Sequence, residues 1–104
     1  MTLKSVYSFL LLLITGIALA QKPTAFAGPD FTICPNGGSA VIGGSIAATG
    51  GTPPYTYLWN PPIALSSQTV SNPTASPTVQ TTYTLQVRDA NDSLGTDVVT
   101  IKIS

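Results

Sequence analysis

The amino-acid sequence predicts an all-β sandwich of about seven short strands, preceded by an export signal. Two observations support this fold class. After residue 20, apolar and polar residues alternate over short segments, and no segment has the apolar spacing of a helix. Clusters of Pro, Gly, Asn and Asp separate the segments, as turns separate strands. Residues 21–104 are therefore predicted to form one small β domain with a modest core.

Residues 1–20 contain the three parts of a secretory signal. Lys4 lies near the start, an apolar run follows, and Ala18-Leu19-Ala20 fits the small-residue cleavage pattern. Cleavage is predicted between Ala20 and Gln21, which gives a secreted protein, extracellular or at the cell surface, with the periplasm as the alternative. The apolar run is shorter than the ~20 residues that span a bilayer, so no membrane anchor is expected after cleavage.

The alternating segments give the strand order and the core. Five to seven strands are predicted: an entry strand at residues 24–27 that continues at 31–33, strands at 39–47, 55–59, 82–88 and 96–103, and a short edge strand around 69–71. Their inward positions predict a core of Tyr57, Trp59, Tyr83, Leu85, Val87, Val99 and Ile101. An aromatic core strand, a tyrosine opening the penultimate strand and a final hairpin together match an immunoglobulin-like sandwich, in which Tyr83 stands near the tyrosine-corner position.

Charge excludes several classes of function. The 104 residues contain four basic and four acidic side chains, all four acids are Asp, and there is no His. This balance offers no basic patch, so nucleic acid is not expected as a partner. Without His or Glu, His-based triads, His-ligated zinc and glutamate acid/base pairs are excluded. We therefore do not expect an enzyme, unless Asp30, Asp89 and Asp97 were to cluster in one concave site.

Five motifs follow one another along the predicted domain. They are A-x-A-G-P-D-x-T-I-C-P at residues 25–35, G-G-T-P-P-Y-T-Y-x-W at 50–59, N-P-x-A-S-P-T at 72–78, T-T-Y-T at 81–84 and D-A-N-D at 89–92. In this order they resemble the PKD-like, immunoglobulin-fold modules of secreted gliding-motility-associated and adhesin-like surface proteins of the Bacteroidetes. The resemblance implies a non-catalytic module for adhesion, spacing or display, whose partner is an extracellular protein or glycan surface.

The sequence departs from that family at two points. Many such modules have a cysteine after the D-A-N-x turn that could pair with the one in T-I-C-P, but Ser93 stands there, so Cys34 is expected to be unpaired. A monomer is favoured over a Cys34-linked dimer. Relatives usually sit in long chains, whereas this sequence stops at Ser104, so a free-standing module and a fragment of a larger surface protein both stay open.

The D-A-N-D motif gives two candidate sites. Asp89, Asn91, Asp92 and Asp97 could supply the oxygen ligands that calcium prefers, although Asp and Asn also occur in such positions as turn residues. No other metal or cofactor is expected. Ser93 is a candidate glycosylation residue, because Asp92-Ser93-Leu94 resembles a D-S-apolar acceptor pattern of Bacteroidetes O-glycosylation; Asn91-Asp92-Ser93 also fits the N-x-S pattern, in which the Asn is the acceptor.

Tyr55, Tyr57 and Trp59 share one face of a predicted strand. Such a row can be part of the core or form a stacking platform for sugars. A small carbohydrate-binding module is therefore the alternative function. Burial of Trp59 would favour the spacer, and its exposure beside Tyr55 would favour sugar binding.

Overall fold

The protein is all-β in the computed structural model, which describes residues 21–44 and 46–104. Eight strands form: β1 (Pro23–Ala25), β2 (Phe31–Ile33), β3 (Ala40–Val41), β4 (Ala48–Gly50), β5 (Thr56–Asn60), β6 (Thr74–Ala75), β7 (Thr81–Arg88) and β8 (Leu94–Ile103). These residues include no helix, and hence none that could cross a membrane. The export signal predicted at residues 1–20 lies outside the described residues.

The strands form one four-stranded sheet and two small ones. The large sheet has the order β2-β8-β7-β5, in which β7 is antiparallel to both neighbours and β2 runs parallel to β8. The antiparallel pairs β1–β4 and β3–β6 form the small sheets. Buried residues of all three sheets belong to one hydrophobic cluster, so the arrangement is consistent with a β-sandwich.

The core combines large side chains from the four-stranded sheet with small ones from the other pairs. Six residues of the large sheet are completely buried: Trp59, Tyr83, Leu85, Val87, Val99 and Ile101. Tyr57 is half-buried and packs against them. The small sheets contribute four alanines to the cluster, and β2 and the connecting segments complete it; these residues are Ala25, Ala40, Ala48 and Ala75, then Ile33, Ala27, Ile42 and Ala47. Because alanine projects little from the backbone, the small sheets can approach the Trp and Tyr rings closely.

The strand predicted over residues 39–47 is broken in the structure. β3 ends at Val41 and β4 begins at Ala48. Gly43 and Gly44 between them have positive φ angles of 98° and 66°, outside the extended region. A β-carbon at Gly43 would also overlap the carbonyl oxygen of Ser71. The glycine pair therefore breaks the strand and permits a close backbone approach.

The edge strand predicted at residues 69–71 is wrong. This segment bends, and the strand forms instead at β6, which pairs with β3. The carbonyl groups of the bent segment have another use: the backbone N–H of Trp59 donates to Gln68 O at 2.8 Å, and its indole Nε1 donates to Val70 O at 2.9 Å. The segment thus wraps around the central Trp instead of joining a ladder.

Candidate functional site

The most densely bonded polar side chain is Asp89, directly after β7. It is only 7% exposed. Its Oδ2 accepts the backbone N–H of Thr52 at 2.9 Å, and its Oδ1 accepts those of Asn91 at 3.0 Å and Ser93 at 2.9 Å. These bonds, that from Thr52 first, lower the pKa of Asp89 below its usual value because they favour the charged form. Asp89 therefore holds residues 50–54 against the β7–β8 turn.

Two other aspartates accept backbone N–H groups where the segment between β1 and β2 meets β8. Asp97 Oδ2 accepts the N–H of Ala27 at 2.9 Å, and Asp30 Oδ1 accepts the N–H of Thr100 at 2.9 Å. Both bonds connect the segment between β1 and β2 to strand β8. Each of these carboxylates has a backbone partner of its own, as Asp89 has.

The four candidate calcium ligands have other partners. Asp89 and Asp97 accept backbone N–H groups, Asn91 Nδ2 donates to Thr52 Oγ1 at 3.1 Å, and Asp92 forms an exposed ion pair with Arg88 at 3.2 Å. Among residues 21–44 and 46–104, no three acidic, Cys or His side chains come close enough to hold a metal ion. Asp92 has a φ of 64°, a left-handed conformation that Asp tolerates in turns. The observed geometry is thus that of a turn.

The aromatic row on β5 belongs largely to the core. Trp59 is 0% exposed, so neither ring face is available for stacking on a sugar. Tyr57 is half-buried, and the hydroxyl of Tyr55 donates to Gly50 O at 2.6 Å. Of the two uses expected for this row, the burial of Trp59 fits a place in the core.

Tyr83 anchors the loop that follows β5. Its buried hydroxyl donates to the carbonyl oxygen of Ile63 at 2.6 Å, and burial raises the pKa of the phenol. The bond spans 20 residues, whereas a tyrosine corner bonds to the backbone only a few residues upstream. The side chain therefore fixes a distant loop instead of the turn before its own strand.

The remaining candidate residues lie near the surface. Ser93 is half-buried at the β7–β8 turn, where its N–H bonds to Asp89 and its carbonyl oxygen accepts the N–H of Asp89 at 3.1 Å. Cys34 is exposed and forms no disulfide. Glycosylation of Ser93 stays a prediction. Cleavage between Ala20 and Gln21 also stays a prediction, because Ala20 lies outside the described residues.

The sequence reasoning missed how the N-terminal segment lies along β8. The two run side by side and in the same direction: a β-carbon at Gly95 would overlap Pro23 O, Ala27 N–H bonds to Asp97, and β2 pairs with the end of β8. Gly95, which lies directly before the predicted strand at residues 96–103 and within the observed β8, was the available signal, because a glycine in a strand often marks a close backbone approach.

No protein-family model, curated protein or solved structure matched the chain when it was compared with them.

Proposed function

We propose that the chain is a secreted, non-catalytic immunoglobulin-like module of the PKD-like kind, serving adhesion, spacing or display at the cell surface. The strand arrangement supports this fold. The chain pairs first with β4 through β1, then crosses at Gly28-Pro29 and pairs with β8 through β2. A four-stranded sheet over smaller antiparallel pairs, closed by a long final hairpin, fits an immunoglobulin-like sandwich.

The main support for the spacer function is that the N-terminal segment runs beside β8 and parallel to it. The chain enters the domain at Pro23, beside Gly95, and leaves it after Ile103, at the far end of β8. Tension applied at these two points runs along the strands. It would therefore load the β2–β8 bonds, the Asp97 and Asp30 bonds and the Ser104 N–H to Ile33 O bond together.

The partners of the aspartates support a structural use of the acidic groups. Asp30, Asp89 and Asp97 accept backbone N–H groups from distant parts of the chain, at separations of 70, 37 and 70 residues. A general acid or base must reach a substrate proton with its oxygen atoms. Here those oxygens close the fold, which is the use that a spacer requires.

Intact-mass measurement on the protein from its native host tests export. Medium, cell envelope and periplasm would be fractionated and measured separately, with and without reductant. We expect a species that begins at Gln21 in the medium or envelope, as a monomer under both conditions. Recovery from the periplasm alone would contradict a surface function. A larger species containing this sequence would place the function in a multi-domain protein.

A further inference from the structure

The turn between β2 and β3 contains an Asn-Gly pair at its tip. Residues 35–37 form this turn, and Pro35, Asn36 and Gly37 are all exposed. Gly37 has a φ of 82°, and a β-carbon there would meet no atom within 4 Å. Neither the Asn36 carboxamide nor the Gly37 N–H forms a hydrogen bond with any of the described residues. The Asn36 side chain and the backbone nitrogen that follows it are therefore free to react with each other.

We propose that Asn36 is a site of spontaneous deamidation, with water as the co-reactant. The Gly37 nitrogen attacks Cγ of Asn36, and the new C–N bond closes a cyclic imide. The Cγ–Nδ2 bond breaks, and the displaced nitrogen leaves as ammonia with the proton of the Gly37 N–H. Water then opens one C–N bond of the ring: opening at Cγ gives Asp, and opening at the main-chain carbonyl carbon gives an isoaspartyl residue. This inference goes beyond the proposed function, because a spacer needs no chemical change in its turns.

The glycine at position 37 favours imide formation for two reasons. A residue with a β-carbon would hinder the approach of its own backbone nitrogen to the Asn36 side chain, whereas glycine presents only hydrogen atoms. Glycine also adopts a wide range of backbone angles, and Gly38 follows directly. The backbone can therefore reach the conformation that brings the two reacting atoms together.

Two of the other three asparagines cannot form this imide. Asn60 precedes Pro61, and Asn72 precedes Pro73. Proline has no backbone N–H, so its nitrogen has no proton to give up when it attacks. These two asparagines are therefore internal controls within the same molecule.

The remaining asparagine, Asn91, is held by hydrogen bonds. Its Nδ2 donates to Thr52 Oγ1 at 3.1 Å. The N–H that would attack its side chain, that of Asp92, donates to Asp89 O at 3.0 Å. Both bonds must break before an imide can form. The structure thus distinguishes Asn36 from Asn91, although both side chains are exposed in turns.

The turn can accept the modified residue. Its base is tight, since a β-carbon at Gly38 would lie 2.6 Å from the Cys34 backbone nitrogen, whereas the tip at Gly37 has open space. The extra backbone atom of an isoaspartyl residue can therefore lie at the tip without displacing β2 or β3. Each event also adds one negative charge to residues 21–104, which contain three basic and four acidic side chains.

Peptide mapping by mass spectrometry, on the full chain after incubation at mildly alkaline pH, tests the inference. One sample would stay folded and another would be unfolded in guanidinium chloride, and deamidation of each asparagine would be followed with time. In the folded protein we expect Asn36 to deamidate faster than Asn91, at a rate that unfolding changes little. Unfolding should accelerate Asn91, because it breaks the bonds to Thr52 and Asp89. Asn60 and Asn72 should change least in both samples.

Gly37→Ala should slow the deamidation of Asn36 several-fold, because the added β-carbon hinders the attacking nitrogen. Gly44→Ala is the matched control, since Gly44 also has a positive φ and open space, and it should leave the rate unchanged. Dispersed amide spectra verify folding; if Gly37→Ala fails to fold, its rate is compared with that of the natural sequence in guanidinium chloride. Folded Asn36 reacting no faster than Asn91, a steep rise in the Asn36 rate on unfolding, or equal rates in Gly37→Ala and the natural sequence would each overturn the proposal.

Discussion

At the scale of single residues, Asp89 fixes the relation between residues 50–54 and the β7–β8 turn. We expect Asp89→Asn to lower the melting temperature, because its uncharged oxygen accepts hydrogen bonds more weakly and its amide group faces a backbone N–H. Asp92→Asn is the matched control, since it removes one charge from the same turn and breaks only an exposed ion pair. Thermal unfolding of both variants measures the difference. Equal melting temperatures would contradict this role of Asp89.

The pH dependence of stability should follow from the lowered pKa of Asp89. A carboxyl whose folded pKa is lowered stabilises the protein above its unfolded pKa, about 3.9, and that stabilisation is lost as the pH falls through the folded pKa. The difference in free energy of unfolding between the natural protein and Asp89→Asn should thus be full at about pH 7 and smaller at about pH 3. Urea unfolding at both values measures it. A difference that is the same at both would show that the charge is unimportant.

Gly51 leaves room for the Asp89 carboxylate. Its φ is 58°, and a β-carbon there would lie 2.7 Å from Asp89 Oδ2. Gly44 has a similar φ of 66° but open space around it. Alanine at either position adopts the left-handed region at about 1 kcal/mol. We expect urea unfolding to show a greater destabilisation for Gly51→Ala than for Gly44→Ala; equal values would mean that the carboxylate moves aside without cost.

At the scale of elements, β5 is held at its outer edge through Trp59. Trp59→Phe removes the indole donor of Val70 O and leaves a void in the core. The two effects together should lower the free energy of unfolding by about 2–4 kcal/mol. Tyr57→Phe, on the same face but half-buried, should cost less than about 0.5 kcal/mol. Denaturant unfolding compares them, and similar costs would show that Trp59 is not the centre of the core.

The long elements were predictable from the sequence, and the short ones were not. Strict alternation over residues 82–88 and 96–103 predicts β7 and β8 to within one or two residues, because each has one buried face. β3 and β6 pair over two residues each, too few for a period to appear. The edge strand placed at residues 69–71 fails for this reason, since tertiary bonds to Trp59 decide that segment.

The same distinction applies to the candidate site. Asp89, Asn91 and Asp92 were predictable as turn residues, because the turn is local. That Thr52 completes the Asp89 network was not, since 37 residues separate the two. Likewise the bonds of Asp30 and Asp97 depend on the parallel path of the N-terminal segment along β8. Gly95 signals a close backbone approach there, but the local pattern does not say which segment approaches.

At the scale of the whole molecule, the proposed spacer must stay folded under tension along the chain. The N-terminal segment, which includes β2, lies beside β8 and runs parallel to it. The hydrogen bonds between the two therefore share the load. Asp97 belongs to this connection, whereas the Arg88–Asp92 pair lies outside it. Asp97→Ala should lower the free energy of unfolding by about 1–2 kcal/mol, because it leaves the Ala27 N–H without its acceptor.

Single-molecule force spectroscopy, with handles at residues 21 and 104, tests the spacer function most directly. We expect a distinct unfolding peak for the natural sequence, a lower peak force for Asp97→Ala, and an unchanged peak force for Asp92→Ala. Extension without a peak, or equal peak forces for Asp97→Ala and the natural sequence, would contradict the account.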